Sequence, residues 1–452
     1  MTPTDHQFKA IRAAAEWYKG AYDESMLFDA STCVLAGYAG SGKSTCLPFI
    51  IDQIGLDPNS VAFCAPTGKA AKVMTKSLRR QGMNEMATTI HSLIYLPKPT
   101  TVDKLETQLK EATAARTILT ERVASPDDKI MIYSIEKELN MHEIDVFLKV
   151  VKKELDKAYV SKEGPQFSLN PISKVTDKKL IVVDEGSMVN EKIASDLKSF
   201  GIPILVMGDP GQLPPVDGDF GFNMDTPELF LSEIHRQALD NPIIQLATLA
   251  RKGELLKVGS YGDGRARVIP RAKDDVTLNP DADVQVIVGT HKKRWDITSK
   301  IRHVLDYNSN APEVGEPLIC CRNSRSRVGM TNGSMYTVKE APEKLVDGDA
   351  AFRMTVQDED GMEHTCIVYQ GLFEEHIARK QLYASADKDL AYRTRNSAEN
   401  FDWAWAVTCH KAQGSGWDNV VLHDESGVFR DHSFKWLYTG ITRAIETLTV
   451  VV

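Results

Sequence analysis

The sequence predicts an α/β fold of two lobes, each built on a parallel β-sheet. Short apolar runs recur along the chain, and several are apolar throughout rather than alternating with polar residues. Such runs are typical of strands buried on both faces, as in a parallel sheet covered by helices. Helical stretches separate many of them, which is the pattern of an α/β protein. The runs form an N-terminal and a C-terminal set: 32–36, 61–65, 180–183 and 204–207, then 284–288, 420–422 and 448–452.

Size and composition agree with a globular protein of several domains. The chain has 452 residues, 42% hydrophobic and 26% charged, and its length corresponds to about three domains of usual size. It lacks the run of about 18 apolar residues that a membrane-spanning helix needs, and its first residues lack a secretory-signal pattern. The seven cysteines include no Cys-x-x-Cys pair, so we expect reduced thiols and a cytoplasmic protein.

Two segments depart from the α/β pattern. Between 101 and 160 apolar residues recur every three or four positions, and a break at 125–128 resembles a helix stop followed by a new cap. We expect a helical hairpin inserted into the first lobe, either as a solvated spacer or as an arm that binds protein or nucleic acid. Residues 313–402 mix Gly-rich turns with β-branched residues, which predicts short antiparallel strands and a small barrel.

A phosphate-binding loop, residues 37–44, follows the first apolar run. Its sequence GYAGSGKS matches G-x-x-x-x-G-K-[S/T] between a strand and a helix. Glycines let several backbone N–H groups face one phosphate, and the next helix adds its positive N-terminal end. We expect Lys43 to reach the outer phosphates and Ser44 to ligate Mg²⁺. The expected nucleotide contacts here are Gly37, Ala39, Gly40, Ser41, Gly42, Lys43, Ser44 and Thr45.

An acidic pair ends a later buried run. Asp184 and Glu185 follow residues 180–183, and open α/β sheets bind ligands at the carboxyl ends of their strands. Asp184 is suited to water-mediated Mg²⁺ binding, and Glu185 to orienting and deprotonating an attacking water. With the phosphate-binding loop, this pair predicts an NTPase.

Further segments, taken in order, resemble the motifs of superfamily 1 helicases. They are APTGKAA at 65–71, TIHSL at 89–93, GDPGQLPPV at 208–216, LSEIHRQ at 231–237, TCHKAQGS at 408–415 and LYTGITRA at 437–444. We call 208–216 the third motif. The nearest resemblance is to the RecD-like branch, and within it to the Dda-like helicases of T-even phages. It extends from Gln7 to Arg443 and leaves out only the insert near 100–160.

The resemblance implies two RecA-like lobes and two smaller subdomains. The first lobe would comprise 1–96 and 174–220, with a pin and helical hairpin inserted at 97–173. The second lobe would comprise 221–312 and 403–452, with a small SH3-like β-barrel at 313–402.

The resemblance also implies roles at the nucleotide site. Gln7 resembles a glutamine that reads adenine, and Gln212 one that senses the γ-phosphate and connects it to nucleic acid. Arg236 and Arg443 resemble arginines that the second lobe brings to the γ-phosphate, where planar, permanently charged donors suit the transferring group. A helix start for Gln7 and a surface ion pair for Arg236 are the structural alternatives. The expected catalytic residues are Lys43, Glu185, Gln212, Arg236 and Arg443, and Gly414 is a further nucleotide contact. ATP with Mg²⁺ would close the cleft, and hydrolysis would reopen it.

A track for one nucleic-acid strand is expected along both lobes. The net charge of −8 argues weakly against such a partner, but only a local groove needs to be basic. Backbone N–H, Thr, Lys and His groups hold phosphates without reading sequence. By resemblance the contacts are Pro66, Thr67, Lys69, His91, Thr290, His291, Lys292, Asn332, Thr408, His410 and Lys411.

A wedge at the duplex junction is expected beside this track. In the resembling helicases a β-hairpin pin lies between the His91 motif and the acidic strand, and here 93–96 and 166–169 would form its strands. Phe167 is the expected stacking residue, with core packing as the alternative. The helical insert between these strands is the clearest departure from Dda-like helicases. Gly186, where Ala or Val is frequent, is a second departure for which we expect little effect.

The sequence therefore predicts an ATP-dependent DNA helicase. Movement from 5′ to 3′ on single-stranded DNA is adopted from the resembling branch. An RNA helicase of the same superfamily, or a single-strand translocase that displaces proteins without efficient unwinding, are the alternatives. Expected partners are single-stranded DNA and forked or tailed duplexes, with single-strand-binding or replication proteins as further partners. We expect a monomer away from membranes, in the cytoplasm of a bacterial host if a phage encodes it.

Overall fold

The first lobe begins with alternating helices and strands. The computed structural model describes residues 3–21, 31–97, 101–122, 125–160, 167–215, 218–233, 240–279, 282–323, 330–345, 350–379 and 398–452. The first elements are α1 (Asp5–Ala21), β1 (Thr32–Gly37), α2 (Lys43–Ile54), β2 (Val61–Ala65), α3 (Gly68–Arg80), β3 (Thr88–Thr89) and α4 (Ile90–Ile94).

An insertion then leaves the first lobe and returns to it. Its elements are β4 (Tyr95–Pro97), α5 (Thr101–Glu121), β5 (Lys129–Ile132), β6 (Lys137–Asn140), α6 (Met141–Val160) and β7 (Phe167–Leu169). Strands β4 and β7 pair antiparallel at its base. The strand expected at 93–96 begins only at Tyr95, because Leu93 and Ile94 complete α4. Helices α5 and α6 pack through a small core that includes Ala112, Leu119 and Ile144. The β5–β6 hairpin between them replaces the simple turn expected there, because Ile132 completes that core.

The chain completes the first lobe with β8 (Leu180–Val183), α7 (Glu191–Lys198), β9 (Ile204–Gly208) and β10 (Leu229–Leu231). The first lobe therefore extends past the boundary expected at 220, because β10 pairs with β1 at the edge of its sheet. Within the described residues the strands form one parallel sheet in the order β10-β1-β9-β8-β2-β3. Alternate strand residues point to opposite faces, so Leu35 packs with α1 and α2 while Val34 packs with α4 and α7.

The second lobe opens with α8 (Pro242–Arg251), β11 (Gly259–Tyr261), β12 (Ala266–Ile269), β13 (Gln285–Val288) and α9 (His291–Val304). A small sheet interrupts it, with β14 (Pro317–Cys320), β15 (Met335–Lys344), β16 (Ala351–Asp358), β17 (Glu363–Tyr369), α10 (Gly371–Ala378) and β18 (Phe401–Trp403).

The small sheet is antiparallel and nearly closes on itself. Its order is β17-β16-β15-β14-β18. Glu399, just ahead of β18, donates its backbone N–H to Ile367 at 2.8 Å and accepts that of Tyr369 at 2.9 Å, so the two edges meet through β17. A barrel-like curl therefore agrees with the sequence, whereas its likeness to an SH3 barrel stays a prediction. Strand β18 runs one residue past the expected boundary at 402.

The second lobe ends with β19 (Ala406–Thr408), α11 (Cys409–Ala412), β20 (Trp417–His423), α12 (Ser433–Ile441) and β21 (Ala444–Val451). The described strands lie in the order β11-β12-β21-β20-β13-β19, parallel except for β11 with β12. Every apolar run predicted as a strand is a strand of one of the two large sheets. Among the described helices, none combines the length and the apolar character needed to cross a membrane.

Buried ion pairs fasten the small sheet to the second lobe. Arg302 in α9 donates to Glu316 at 2.7 Å, and the indoles of Trp403 and Trp405 each donate to that carboxylate at 3.0 Å. A second pair, also from α9, joins Arg294 to Asp402 at 2.5 Å. Because breaking a buried pair leaves a charge uncompensated, we expect the small sheet and the second lobe to move as one body.

Candidate nucleotide site and nucleic-acid track

The phosphate-binding loop wraps around the N-terminus of α2. Gly40 and Gly42 have φ of 80° and 81°, a left-handed conformation that glycine adopts without strain. A Cβ on Gly37 would lie 2.5 Å from Ser41 Oγ, so the loop closes tightly on its first residue. Lys43 Nζ donates to the carbonyl of Gly37 at 2.5 Å, which holds the ammonium group inside the loop.

Polar groups near the ends of three adjacent strands are buried without a partner in the described residues. They are Ser41 Oγ after β1, Ser187 Oγ after β8 and Gln212 Oε1 after β9. Buried polar groups in folded proteins are nearly always hydrogen-bonded. A polar ligand at this edge of the first sheet, such as a nucleoside triphosphate, would supply the missing partners.

The acidic pair lies at the same edge. Burial raises the pKa of Asp184 to about 6, with a further contribution from the charge of Glu185, while Lys43 opposes the rise. A bound divalent cation would favour the ionised carboxylate, so Asp184 and Ser44 are chemically suited to hold Mg²⁺. Glu185 has φ 53°, a left-handed conformation that is strained for a non-glycine residue and recurs at functional sites.

Gly186 fits its surroundings closely. A Cβ at this position would lie 2.3 Å from Val206 Cγ1 and 3.0 Å from Met224 Cε. Val206 and Met224 fill the space that a larger residue would take, which explains how this chain accommodates glycine where Ala or Val is frequent.

Gln7 lies against the phosphate-binding loop. The side chain is only 3% exposed, and its Nε2 donates to the carbonyl of Ser41 at 3.1 Å. Thr4 also donates its backbone N–H to Gln7 Oε1 at 3.1 Å, so the amide is held at both ends. This position agrees with a nucleotide-site residue, although adenine reading stays a prediction.

The second lobe touches the phosphate-binding loop through residues that the sequence analysis does not single out. The backbone N–H of Ala39 donates to Tyr438 Oη at 2.8 Å, and Tyr438 Oη donates to Asp209 Oδ2 at 2.6 Å. The guanidinium of Arg251 lies 3.6 Å from the ring centre of Tyr38. Tyr438 and Asp209 fall inside motifs that the sequence reveals, but a single Tyr or Asp gives no sign of its partner. Arg251 ends α8, where a basic residue is expected for the helix alone.

The described contacts do not place either predicted arginine at the phosphate-binding loop. Arg443 is 5% exposed and donates within its own lobe to the carbonyls of Thr439 and Ser415 at 3.0 Å and 3.1 Å. Arg236 lies outside the described residues. Gly414, expected at the nucleotide, has its nearest described neighbours in α3, where its Cβ would lie 3.0 Å from Ala70 Cβ. Contact of these residues with a nucleotide stays a prediction.

The predicted strand contacts gather at matching edges of the two large sheets. Thr67 follows β2 and caps α3 through the N–H of Ala70, and Thr290 follows β13 and caps α9 through that of Lys293. Thr89 and Thr408 end β3 and β19 and precede short helices, and of these two only Thr89 caps its helix through a side-chain hydrogen bond, from the N–H of Ser92. Strands β2 and β3 are neighbours at one sheet edge, as are β13 and β19. Helix N-termini at strand ends present N–H groups suited to phosphates.

Several predicted contacts are already paired inside the protein. Lys69 forms an ion pair with Glu359, in the β16–β17 turn of the small sheet. Lys411 Nζ donates to Asn332 Oδ1 at 2.7 Å. The hydroxyl of Thr290 donates to Glu425 at 3.0 Å. Binding of a nucleic-acid backbone to these groups would have to displace these partners.

The histidines of the track sit against aromatic rings. His291 lies 6.0 Å from Trp295, and His410 lies 5.5 Å from Phe429, between ring centres. Burial lowers the pKa of both histidines and that of His91, so the rings are neutral near pH 7. Pro66 follows β2, and Lys292 is the second residue of α9. Both stand at the strand ends that carry the threonine caps.

Phe167 starts β7 at the base of the insertion. Its side chain is 46% exposed, and its ring centre lies 5.8 Å from that of His91 and 6.3 Å from that of Tyr95. Partial exposure argues against ordinary core packing. Contact with a duplex stays a prediction, and Gln166 lies outside the described residues.

Two family models and several known proteins match parts or most of this chain. A family model described as an AAA domain matches residues 23–218, and a UvrD-like helicase C-terminal domain matches residues 403–451. An ATP-dependent RecD2 DNA helicase of Deinococcus radiodurans is 23% identical over 424 aligned positions, covering 91% of this chain and 45% of that protein. An uncharacterised protein of Acanthamoeba polyphaga mimivirus is 27% identical over 189 positions, 40% of this chain and 28% of that protein. The chain thus spans under half the length of these curated relatives.

One solved structure shares the fold along the whole chain. It is described as the structural basis for DNA unwinding at forked double-stranded DNA by two coordinating Pif1 helicases. The TM-score is 0.51 at 17% identity, covering 100% of this chain and 92% of that chain.

Proposed function

We propose that the chain is a superfamily 1 helicase that hydrolyses ATP to move along single-stranded DNA and to unwind the duplex ahead. The AAA-domain match, the UvrD-like C-terminal match and the likeness to a RecD2 helicase support this proposal. The observation that carries this proposal is the contact of the phosphate-binding loop with Tyr438 and Arg251 of the second lobe. A motor of this class needs a nucleotide between two lobes, so that hydrolysis changes their separation.

The residues of the first lobe provide the chemistry of hydrolysis. Lys43 and the loop N–H groups bind the phosphates, and Glu185 orients and deprotonates the attacking water. Ser44 and Asp184 would hold Mg²⁺, which supplies positive charge beside the phosphates when bound. Arg443, with Arg236, completes the site from the second lobe.

A short path joins the nucleotide site to the track. Gln212 belongs to the third motif, and the next residue, Leu213, donates its N–H to Thr439 Oγ1 at 3.0 Å. The carbonyl of Leu213 accepts from Gln413 Nε2 at 3.2 Å, and Gln413 directly follows α11 with its expected strand contacts. This path supports the proposal that hydrolysis of the bound nucleotide changes the affinity of the second lobe for the nucleic-acid strand.

The choice of DNA as the substrate and the direction of movement are further parts of the proposal. The relative described as a DNA helicase and the neighbour described as acting at forked DNA support DNA over RNA. We adopt movement from 5′ to 3′, kinship with Dda-like helicases of phages, a role in replication or recombination, a monomeric state and a place in the cytoplasm as parts of the proposal. Single-strand-binding or replication proteins are its proposed protein partners.

The decisive experiment compares duplexes that carry a 5′ or a 3′ single-stranded tail. Strand separation is followed with ATP and Mg²⁺, while ATP hydrolysis is measured with single-stranded DNA and with RNA of the same sequence. Unwinding of the 5′-tailed duplex alone is expected, and Lys43→Ala should abolish it. Unwinding from the 3′ tail would refute the polarity, and equal stimulation by RNA would refute the DNA preference.

A translocase that strips proteins from a strand is the second candidate. The insertion between the pin strands favours it, because it replaces the short pin tip expected of an efficient wedge. Strong DNA-stimulated hydrolysis without strand separation on either tail would decide for this candidate.

A further inference from the structure

Tyr438 connects the two lobes at the nucleotide site through its hydroxyl. The oxygen accepts the backbone N–H of Ala39 in the phosphate-binding loop and donates to Asp209 Oδ2 in the third motif, at 2.8 Å and 2.6 Å. The tyrosine itself belongs to α12 of the second lobe and is buried. One hydroxyl group therefore touches two nucleotide-site loops that belong to the other lobe.

Asp209 in turn fixes the loop that carries Gln212. Its Oδ1 accepts the backbone N–H of Gly211 at 2.9 Å, and its carbonyl accepts that of Gln212 at 3.1 Å. A Cβ on Gly211 would lie 2.9 Å from Tyr438 Cε1, so the loop also packs on the tyrosine ring. A shift of the Tyr438 ring or of its hydroxyl would therefore move the loop that carries Gln212.

The Ala39 N–H is one of the groups that such a loop offers to phosphate. Backbone N–H groups of a phosphate-binding loop point at the bound anion, and here the tyrosine oxygen takes one of them. The hydroxyl keeps its proton, because burial and the neighbouring carboxylate raise the pKa of Tyr438. A neutral hydroxyl can accept from Ala39 and donate to Asp209 at the same time.

We propose that Tyr438 is a positioning residue that senses whether the phosphate-binding loop is filled. The hydroxyl occupies the Ala39 N–H until a nucleotide phosphate takes that group. Release of the hydroxyl then changes its hold on Asp209, and with it the position of Gln212. The neighbouring Thr439 keeps its own bond to Leu213, so the lobes stay in contact while the tyrosine responds. This inference rests on the function proposed above for the same site.

The test is Tyr438→Phe, which removes the hydroxyl and keeps the ring. Without the competing oxygen, binding of ATP with Mg²⁺ in the absence of DNA should tighten by about threefold to tenfold, the effect of one neutral hydrogen bond. Isothermal titration calorimetry measures this affinity. Stimulation of hydrolysis by single-stranded DNA should fall, since Asp209 of the third motif has lost its hydrogen bond from the second lobe. Tyr18→Phe is the matched control, because that buried hydroxyl donates to the carbonyl of Lys179 away from the site.

A second readout does not depend on turnover. Hydrogen exchange of the peptide containing residues 37–42, without nucleotide, should be faster in Tyr438→Phe than in the wild type or in Tyr18→Phe. Unchanged exchange and affinity, or weaker ATP binding by a folded variant, would overturn the proposal. Wild-type protein that binds ATP but neither hydrolyses it nor responds to DNA would refute the proposed function instead. The affinity and exchange comparisons would in that case still test whether the Tyr438 hydroxyl competes for the Ala39 N–H.

Discussion

At the scale of single residues, Asp184 and Glu185 differ in position in a way that fits the different tasks proposed for them. Asp184 continues the end of a buried strand, where its pKa is raised to about 6 by burial and then by Glu185. Glu185 turns away from the strand with φ 53°. The first arrangement suits a cation ligand and the second a base that faces the reacting water.

Replacing Glu185 by Gln should separate binding from hydrolysis. The amide keeps the size of the side chain but cannot take a proton, so we expect kcat for ATP to fall by about 10²–10⁴-fold with little change in nucleotide affinity. DNA-stimulated phosphate release and calorimetric binding of ATP measure the two effects. Glu191→Gln, an exposed change at the start of α7, is the control. Retained hydrolysis in Glu185→Gln would remove Glu185 from the role of base.

At the scale of elements, the insertion and the small sheet are attached in different ways. The insertion joins the first lobe at its base by the short β4–β7 pair and has its own core. The small sheet is bound to α9 through buried ion pairs. We therefore expect the small sheet to follow the second lobe, and the insertion to follow the first.

Phe167→Ala tests the wedge at the base of the insertion. Removal of the ring should slow strand separation by more than it slows DNA-stimulated ATP hydrolysis. Stacking of an aromatic ring on a base is worth about 1–3 kcal/mol, and Phe167 is proposed to stack only on the base at the duplex junction. Both rates are measured on the same tailed duplex. Tyr133→Ala removes another exposed ring of the insertion, 77% exposed, and should change neither rate. An equal fall in both rates would contradict the wedge assignment.

Asp402→Asn tests the junction between the small sheet and α9. The carboxylate forms an ion pair with Arg294 and accepts a hydrogen bond from His376 Nδ1 at 2.9 Å. Its removal leaves a buried guanidinium uncompensated, so we expect a loss of about 3–5 kcal/mol of stability, seen as a lower thermal unfolding midpoint. Asp296→Asn breaks partly exposed pairs with Lys300 on the same helix and with Arg379, and should cost about 1 kcal/mol or less. Similar midpoints for the two variants would refute a rigid junction.

At the scale of the whole molecule, the small sheet reaches across to the first lobe over the expected strand track. Glu359 pairs with Lys69, and Asp360 lies 3.6 Å from Lys76. Thr331 lies directly against Gly68, because a Cβ added to Gly68 would be 2.7 Å from Thr331 Cβ. Glu359, in the turn between β16 and β17, therefore pairs with a lysine that is expected to bind the nucleic-acid strand.

Glu359→Gln should strengthen binding of single-stranded DNA. Lys69 would no longer have to leave a carboxylate to meet a phosphate, and a partly exposed pair of this kind is worth about 1 kcal/mol or less, so the gain should be about fivefold at most. Fluorescence anisotropy of a labelled oligonucleotide at two salt concentrations measures it. Glu363→Gln, an exposed change in the same sheet, controls for the loss of one negative charge. Equal gains from both variants would show a general charge effect and no competition at Lys69.

The sequence alone determined the long apolar strands of both large sheets, the phosphate-binding loop, the acidic pair and the antiparallel pairing of β4 with β7. These features depend on local patterns: continuous apolar runs, glycine spacing and carboxylates at strand ends. It did not predict the β5–β6 hairpin or the short strands β3, β10, β11, β12 and β19, because their apolar character is brief and depends on neighbours for burial.

Only the tertiary structure decided which side chains meet across the lobes. The contact of Tyr438 with Ala39 joins residues 399 positions apart, and that of Lys69 with Glu359 joins residues 290 positions apart. A single Tyr, Arg or Glu carries no sequence signal for its partner, since hydrogen bonds and ion pairs form according to distance and burial. The sequence therefore indicated a two-lobed nucleotide-dependent motor, and the fold decided how one lobe contacts the loops of the other.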